Sequence, residues 1–166
     1  MIKKHLKNQK GLTLIELLAV VVILGIIAAI AIPSIGGLID NSKKDAHVAN
    51  AQQMISSAKL AVAGNPALQP TTNNATDAIF ISLNYLETQG YIEPIKDPDG
   101  SADAGYNTGV ADKANKGEPA TGSYVRVTKD GNNFSYSVRL LGSQRNIPLT
   151  PENDLDRSGV AQNTVQ

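Results

Sequence analysis

The stretch that decides the fold is KGLTLIELLAVVVILGIIAAIAIP, residues 10–33. Its residues 12–32 are all apolar or glycine except Thr13 and Glu16. As an α-helix these twenty-one residues span roughly 31 Å, which is about the hydrocarbon thickness of a bilayer. Glu16 does not suit a simple membrane span, because a carboxylate in the apolar core costs on the order of 2–3 kcal/mol on insertion scales.

The charge is distributed unevenly along a chain whose net charge is zero. The first eleven residues contain no acid and four lysines, which are Lys3, Lys4, Lys7 and Lys10. A basic head before an apolar run is a targeting or anchoring signal, and it keeps the N-terminus in the cytoplasm and the rest of the chain outside. The rest of the chain has eleven basic and fifteen acidic residues, which argues against a nucleic-acid-binding surface.

Three processing routes are compatible with this N-terminal pattern. A signal peptide can be cut after the A-x-A site at residues 29–31, or an uncut segment can serve as a signal anchor. The third route is a cut between Gly11 and Leu12, which removes the lysines and keeps the apolar helix. Glu16 favours the third route, because the new α-amine of Leu12 supplies a positive charge that can neutralise it. The amine can come from the same helix or from a neighbouring one.

These residues resemble the class III signal of type IV prepilins and of the related type II secretion pseudopilins. The motif is a basic leader, a glycine, an apolar residue, Thr-Leu-x-Glu, and an apolar helix with an internal glycine and a proline. The matching positions are Gly11, Leu12, Thr13, Leu14, Glu16, Gly25 and Pro33. The commonest first mature residue in the family is Phe, whereas here it is Leu. The resemblance is specific over about residues 7–40 and weaker beyond them.

The resemblance implies a structural protein and not an enzyme. A prepilin peptidase would cut after Gly11 and methylate the amine of Leu12, and Glu16 would neutralise that amine in an adjacent subunit. The precursor would lie in the cytoplasmic membrane and then join other copies of itself in an extracellular type IV pilus that serves adhesion, motility or DNA uptake. An inner-membrane platform with an ATPase would drive assembly. The absence of cysteine favours a Gram-positive pilin.

Two other functions remain open at this point. One is a pseudopilin of a type II secretion or competence system, and the other is a secreted or anchored protein with an ordinary signal peptide. The predicted segments are a leader at 1–11, a membrane and filament-core helix at 12–34 and an amphipathic helix at 35–63, with a head at 64–166. Gly25 and Pro33 predict a kink, and the resemblance implies that the helix can unwind there in a filament.

The helical pattern continues after Pro33 with two opposite stripes. One holds Ile35, Leu38, Ile39, Ser42 and Ala46, and the other holds Val48, Ala51, Ile55, Ala58 and Val62. The first stripe is predicted to contact other subunits and the second to pack on the chain's own head; a helix–turn–helix broken near Ser42 is the alternative. Asn65-Pro66 ends the helix, since the residue before a proline avoids the α conformation.

The head is predicted to contain a small antiparallel sheet. Thr76 can cap a short helix that starts at Asp77 and buries Ile79, Leu83 and Leu86. A hairpin at 122–140 with its turn at Asp130-Gly131 pairs Val125 with Tyr136 and puts one apolar face against the second stripe. Residues 101–121 read as a surface excursion, and the tail from Thr150 as mobile or wrapped over the sheet. The predicted fold class is α+β, a pilin fold with a long helical spine whose C-terminal half packs on the sheet.

The sequence offers few candidates for a chemical site. His5 and His47 are the only histidines and lie too far apart to suggest a metal or catalytic cluster. DPDGSAD supplies Asp97, Asp99 and Asp103 as oxygen ligands, but the sixth loop position is alanine and the twelfth is threonine, which departs from a calcium loop. We therefore predict a solvated turn here and no cofactor, with calcium as the weaker alternative. No nucleophile–base pair or phosphate loop appears in the sequence.

Overall fold

A long N-terminal helix precedes all of the β-structure. A computed structural model describes the backbone of residues 3–101, 104–109 and 116–163, and the side chains from Thr13 onward within these ranges. Helix α1 runs Lys3–Gly64 and contains Pro33. It stops where expected, since Asn65 is extended and its side chain accepts a bond from the N–H of Ala67 in the 3-10 turn Pro66–Leu68.

The chain divides into two compact units, 1–41 and 42–166. The first unit contains only helix among its described residues, and the backbone is helical across Gly25 and on both sides of Pro33. Side chains make no close approach to Gly25, Gly36 or Gly37. A kink at Pro33 and unwinding in a filament both stay predictions.

The second unit holds a five-stranded antiparallel sheet in the order β1-β2-β3-β4-β5. The strands are β1 Ile79–Ser82, β2 Tyr124–Asp130, β3 Asn133–Leu141, β4 Arg145–Pro151 and β5 Ala161–Gln162. A short helix, α2, spans Leu83–Thr88, and 3-10 turns lie at Ala75–Asp77, Glu152–Asp154 and Arg157–Gly159. A long helix followed by an antiparallel sheet confirms the predicted α+β, pilin-like architecture.

The helix predicted from Asp77 is partly wrong. Residues 79–82 form strand β1, whose register pairs Ile79 with Val127, and all four of its side chains are buried. The helix starts only at Leu83, where the Ser82 hydroxyl accepts a bond from the N–H of Tyr85. The local pattern fits either structure, and pairing with β2 decides for the strand because it satisfies backbone groups that would otherwise be buried without partners.

The β2–β3 hairpin is confirmed, but its register differs from the prediction by two residues. Val125 pairs with Val138 and Val127 with Tyr136, and the two-residue turn is Gly131-Asn132. Gly131 has a φ of 60°, the conformation that a type II′ turn requires at its first central position. A shift of two residues leaves every side chain on its predicted face, because side chains alternate with a period of two.

The predicted cover of the sheet is confirmed. Ala51, Ile55 and Ala58 of α1 are 0% exposed and share one core with Val125, Val127, Val138, Leu140 and Ile147. The opposite face of the sheet carries a smaller apolar group around Phe80 and Tyr124. Burial between the helix and the sheet therefore supplies the main stabilising term of the second unit.

We expect Ile55→Ala to lower the free energy of unfolding of this unit by about 2–5 kcal/mol, because the cavity cannot fully collapse. Leu60→Ala is the matched control on the same helix, since Leu60 is 62% exposed and leaves no cavity. Near-UV circular dichroism in detergent reports this unit alone, because every aromatic residue lies after residue 79. If both variants lost the same free energy of unfolding, the packing assigned to Ile55 would be wrong.

The segment 101–121, which was predicted to lie on the surface, is in fact anchored in part. Tyr106 is buried, and Asn107 bonds through its backbone to Leu141 and Ser123, so at least residues 104–109 pack onto the unit. The tail from Thr150 was predicted to be mobile or to wrap over the sheet, and the structure anchors it to helix α1. Arg157 donates two bonds of 2.6–2.7 Å to Asp45 of α1.

Strand β4 is an outer strand over most of its length. Strand β5 pairs with it only at Arg145 and Asn146, so 147–151 has no strand partner on that side among the described residues. Pro148 and Pro151 are both exposed and carry no N–H. Proline is typical of such edges, because it cannot donate to a further strand.

Candidate functional site

The first unit presents an almost continuous apolar surface. Sixteen Leu, Ile and Val side chains between Leu14 and Ile39 are 52–71% exposed. Within the part of the chain that the structure describes, α1 is the one helix long and apolar enough, by length and composition, to cross a membrane. Such a surface needs a bilayer or other apolar helices around it, because water exposure of this area is unfavourable.

Glu16 lies exposed on this apolar surface. Gly11 and Leu12 have helical backbone, but the side chain of Leu12 lies outside the described side chains. The predicted cleavage at Gly11, methylation of Leu12 and charge pairing with Glu16 therefore stay predictions. The apolar surface around Glu16 is the environment in which an ionic partner matters most, since no water would solvate the carboxylate once the helix is covered.

A second candidate site is a group of charged side chains, which we call the charged cluster: the buried His47, Asp97, Asp99 and Arg145, and the half-exposed Lys43. Arg145 Nη1 donates to both oxygens of Asp99, at 3.1 and 3.0 Å. Lys43 Nζ lies 3.1 Å from Asp99 Oδ1, and His47 Nε2 lies 3.0 Å from Asp99 Oδ2. The cluster joins α1, the loop after α2 and the start of β4.

His47 is held at both ring nitrogens. Its Nδ1 lies 2.7 Å from the Tyr106 hydroxyl, and that hydroxyl accepts a bond of 3.0 Å from the side-chain amide of Asn50. The second amide hydrogen of Asn50 goes to the carbonyl of Lys96. Tyr106 and Asp99 therefore hold the imidazole ring from its two sides.

Asp97 organises the turn that brings Asp99 into place. Its Oδ1 accepts from the N–H of Asp99 at 2.9 Å, and its Oδ2 accepts from the N–H of Ser143 at 2.5 Å. A Cβ on Gly142 would lie 2.9 Å from Oδ2 and 2.7 Å from the carbonyl of Arg145. Glycine is required at 142 because the β3–β4 turn approaches Asp97 this closely.

The solvated turn predicted for DPDGSAD is therefore wrong at its first two carboxylates. Asp97 is 5% and Asp99 7% exposed, because chain cations and backbone donors replace water around them. Asp103 lies outside the described residues, and calcium binding stays a prediction. His47 was missed as a partner, although its position four residues before Ala51 places it on the buried side of α1, which is the one signal that pointed to it.

Asp99 should make the second unit sensitive to acid. Burial acts to raise the pKa of Asp99, but its bonds to His47 and Lys43 and the charges of Arg145 and Lys43 together hold it below the ordinary value of 3.8. A carboxyl whose pKa falls on folding stabilises the folded state above its unfolded pKa, and loses that contribution as the pH drops towards the folded pKa. We expect the Tm to fall more steeply between about pH 5 and pH 3 in the wild type than in Asp99→Asn. The Tm is measured at each pH by near-UV melts. If the Tm of the wild type and that of Asp99→Asn fall in parallel with pH, this prediction is wrong.

The comparison with known proteins concerns the first unit. Residues 6–32 match the family described as the prokaryotic N-terminal methylation motif. No solved structure matches this chain. The chain carries the class III signal of type IV pilins and pseudopilins, and the motif supports a pilin- or pseudopilin-like precursor. The motif implies processing by a prepilin peptidase, assembly into multimers and a membrane-anchored precursor that is later extracellular.

Proposed function

We propose that this chain is the main structural subunit of a type IV pilus. The observation that carries the proposal is the exposed apolar surface from Leu14 to Ile39 with one carboxylate, Glu16, near its start. Before assembly the bilayer covers this surface. In the filament the same surfaces of other copies cover it, and repeated copies related by one operation build an open helical polymer.

Charge gives the polymer its axial register. Apolar packing alone lets helices slide, because burial is not directional. A helix with a single buried carboxylate has few favourable positions along its neighbours, because the carboxylate must meet a positive group or remain unpaired at a cost in free energy. The methylated amine of Leu12 in a neighbouring copy is the proposed partner, and an assembly platform with an ATPase would extract each subunit from the membrane.

Intact mass and N-terminal sequencing of the cellular product test the first step. We expect a mature chain that begins at methylated Leu12. Gly11→Val should leave the leader attached, because it removes the motif glycine at the proposed cut, whereas Ala31→Val should be processed normally. A product that begins at Ile32 would instead show an ordinary signal peptide and exclude the filament.

Electron microscopy of the cells tests the second step. Long surface fibres that contain this chain, and that disappear when its gene is deleted, are the expected result. A pseudopilin of a secretion or competence system uses the same signal and the same helix, and would give correct processing without long fibres. Loss of twitching, adhesion or DNA uptake in the deletion strain would then identify which process the fibre serves.

A further inference from the structure

Three atoms of the charged cluster are arranged like ligands of a metal ion. His47 Nε2 and one carboxylate oxygen each from Asp97 and Asp99 lie within 4.8 Å of one another, and these side chains are at most 1% exposed. One imidazole nitrogen with two carboxylate oxygens suits a divalent transition metal such as zinc, with bonds of about 2.0–2.2 Å. The nitrogen distinguishes this donor set from the all-oxygen shell that calcium prefers.

The chain already supplies cations to these carboxylates. The Arg145 guanidinium contacts both oxygens of Asp99, and the half-exposed Lys43 contacts one of them. Two carboxylates of the cluster therefore lie beside two cations of the chain. A divalent ion added to this buried group would place further positive charge next to these cations, which is costly away from water. A metal could therefore bind only if the guanidinium left.

We propose that Arg145 is the resident cation of this site, and that its guanidinium on Asp99 supplies the positive charge that a divalent metal would bring to His47, Asp97 and Asp99. The native unit then holds its loop to α1 without any metal. Removal of the guanidinium uncovers a transition-metal site in which His47 Nε2 and one oxygen each of Asp97 and Asp99 are the ligands. Tyr106, next to Nδ1, would then orient the ring as an outer partner.

Thermal melts of the leader-free chain in detergent, followed by near-UV circular dichroism, test this proposal. For the wild type we expect the same Tm in EDTA, in calcium and in zinc. For Arg145→Gln we expect a lower Tm in EDTA and a saturable rise of about 5–10 °C with about 1 mM zinc, because a ligand that binds only the folded state stabilises it. Adding His47→Gln to this variant should abolish the rise.

Lys43→Gln is the matched control, since it removes the other cation of the cluster and leaves the guanidinium in place; it should show no response to zinc. A wild-type Tm that falls in EDTA or rises with calcium would overturn the proposal, because the native site would then hold a metal. The proposal is also overturned if Arg145→Gln has the same Tm with and without zinc, or stays unfolded in zinc. The melts use unassembled chain, so failure of the proposed pilus function would not change them.

Discussion

Glu16→Ala should leave leader removal intact and should strongly reduce entry of the subunit into wild-type filaments. Without the carboxylate, the Leu12 amine of a neighbouring copy is buried among apolar helices without a partner. An unpaired charge in such surroundings costs on the order of 2–3 kcal/mol, which corresponds to roughly 30- to 150-fold in an association equilibrium. Co-expression of tagged variant and wild-type chains, with quantification of each in sheared fibres, measures the effect.

Two further substitutions at the same position separate charge from shape. Glu16→Gln keeps the length and removes the charge, and is expected to be excluded from fibres like the alanine variant. Glu16→Asp keeps the charge on a shorter side chain and is expected to enter fibres better than either. Intact mass of the membrane-bound pool confirms that each variant has lost its leader. Normal incorporation of Glu16→Gln would show that the charge pair has no role in assembly.

The second large effect is expected at the charged cluster. Asp99→Asn keeps the side-chain shape but takes from the buried guanidinium of Arg145 the negative charge that both oxygens of Asp99 share. Breaking one side of a buried ion pair typically costs about 3–5 kcal/mol, which for a unit of this size lowers the Tm by roughly 10–20 °C. Near-UV melts of the leader-free chain in detergent measure this loss.

Asp45→Asn provides the matched control on the same helix. Asp45 also forms a bidentate pair with an arginine, Arg157, but both side chains are about half exposed. Water and salt screen such a pair and take its place when it is broken, so the Tm should move by no more than about 2 °C. If the two variants lose equal stability, burial does not decide the strength of these pairs and the assigned role of Asp99 is wrong.

The parts of the fold that follow from local patterns could be predicted from the sequence. Asn65-Pro66 ends α1 through a restriction on one residue, and the alternation of Val125 and Val127 decides which sheet face is buried. The hairpin register could not be predicted from the local sequence, because Asp130-Gly131 and Gly131-Asn132 are both acceptable two-residue turns. Only the full β2–β3 ladder and the strand pairing beyond it select the second.

The charged cluster could not be predicted, because its partners are far apart in the sequence. His47 meets Asp99 across 52 residues, and Arg145 reaches the same carboxylate across 46. A carboxylate in a sequence such as DPDG is most often solvated, and nothing local tells that a guanidinium will replace the water. Ile79 was wrongly assigned to a helix for a similar reason, since only pairing with the distant Val127 makes it part of a strand.

The prolines of β4 have a consequence for a crowded fibre. Heads carried on one helical core would face identical copies at close range for the lifetime of the filament, and an open sheet edge would invite neighbouring sheets to fuse side by side. Pro148 and Pro151 lack the N–H groups that such strand pairing needs, so this edge disfavours pairing with the same edge of a neighbouring head. Lateral bundling of the fibres would then depend on side chains at the head surface and could be reversed without unfolding any subunit.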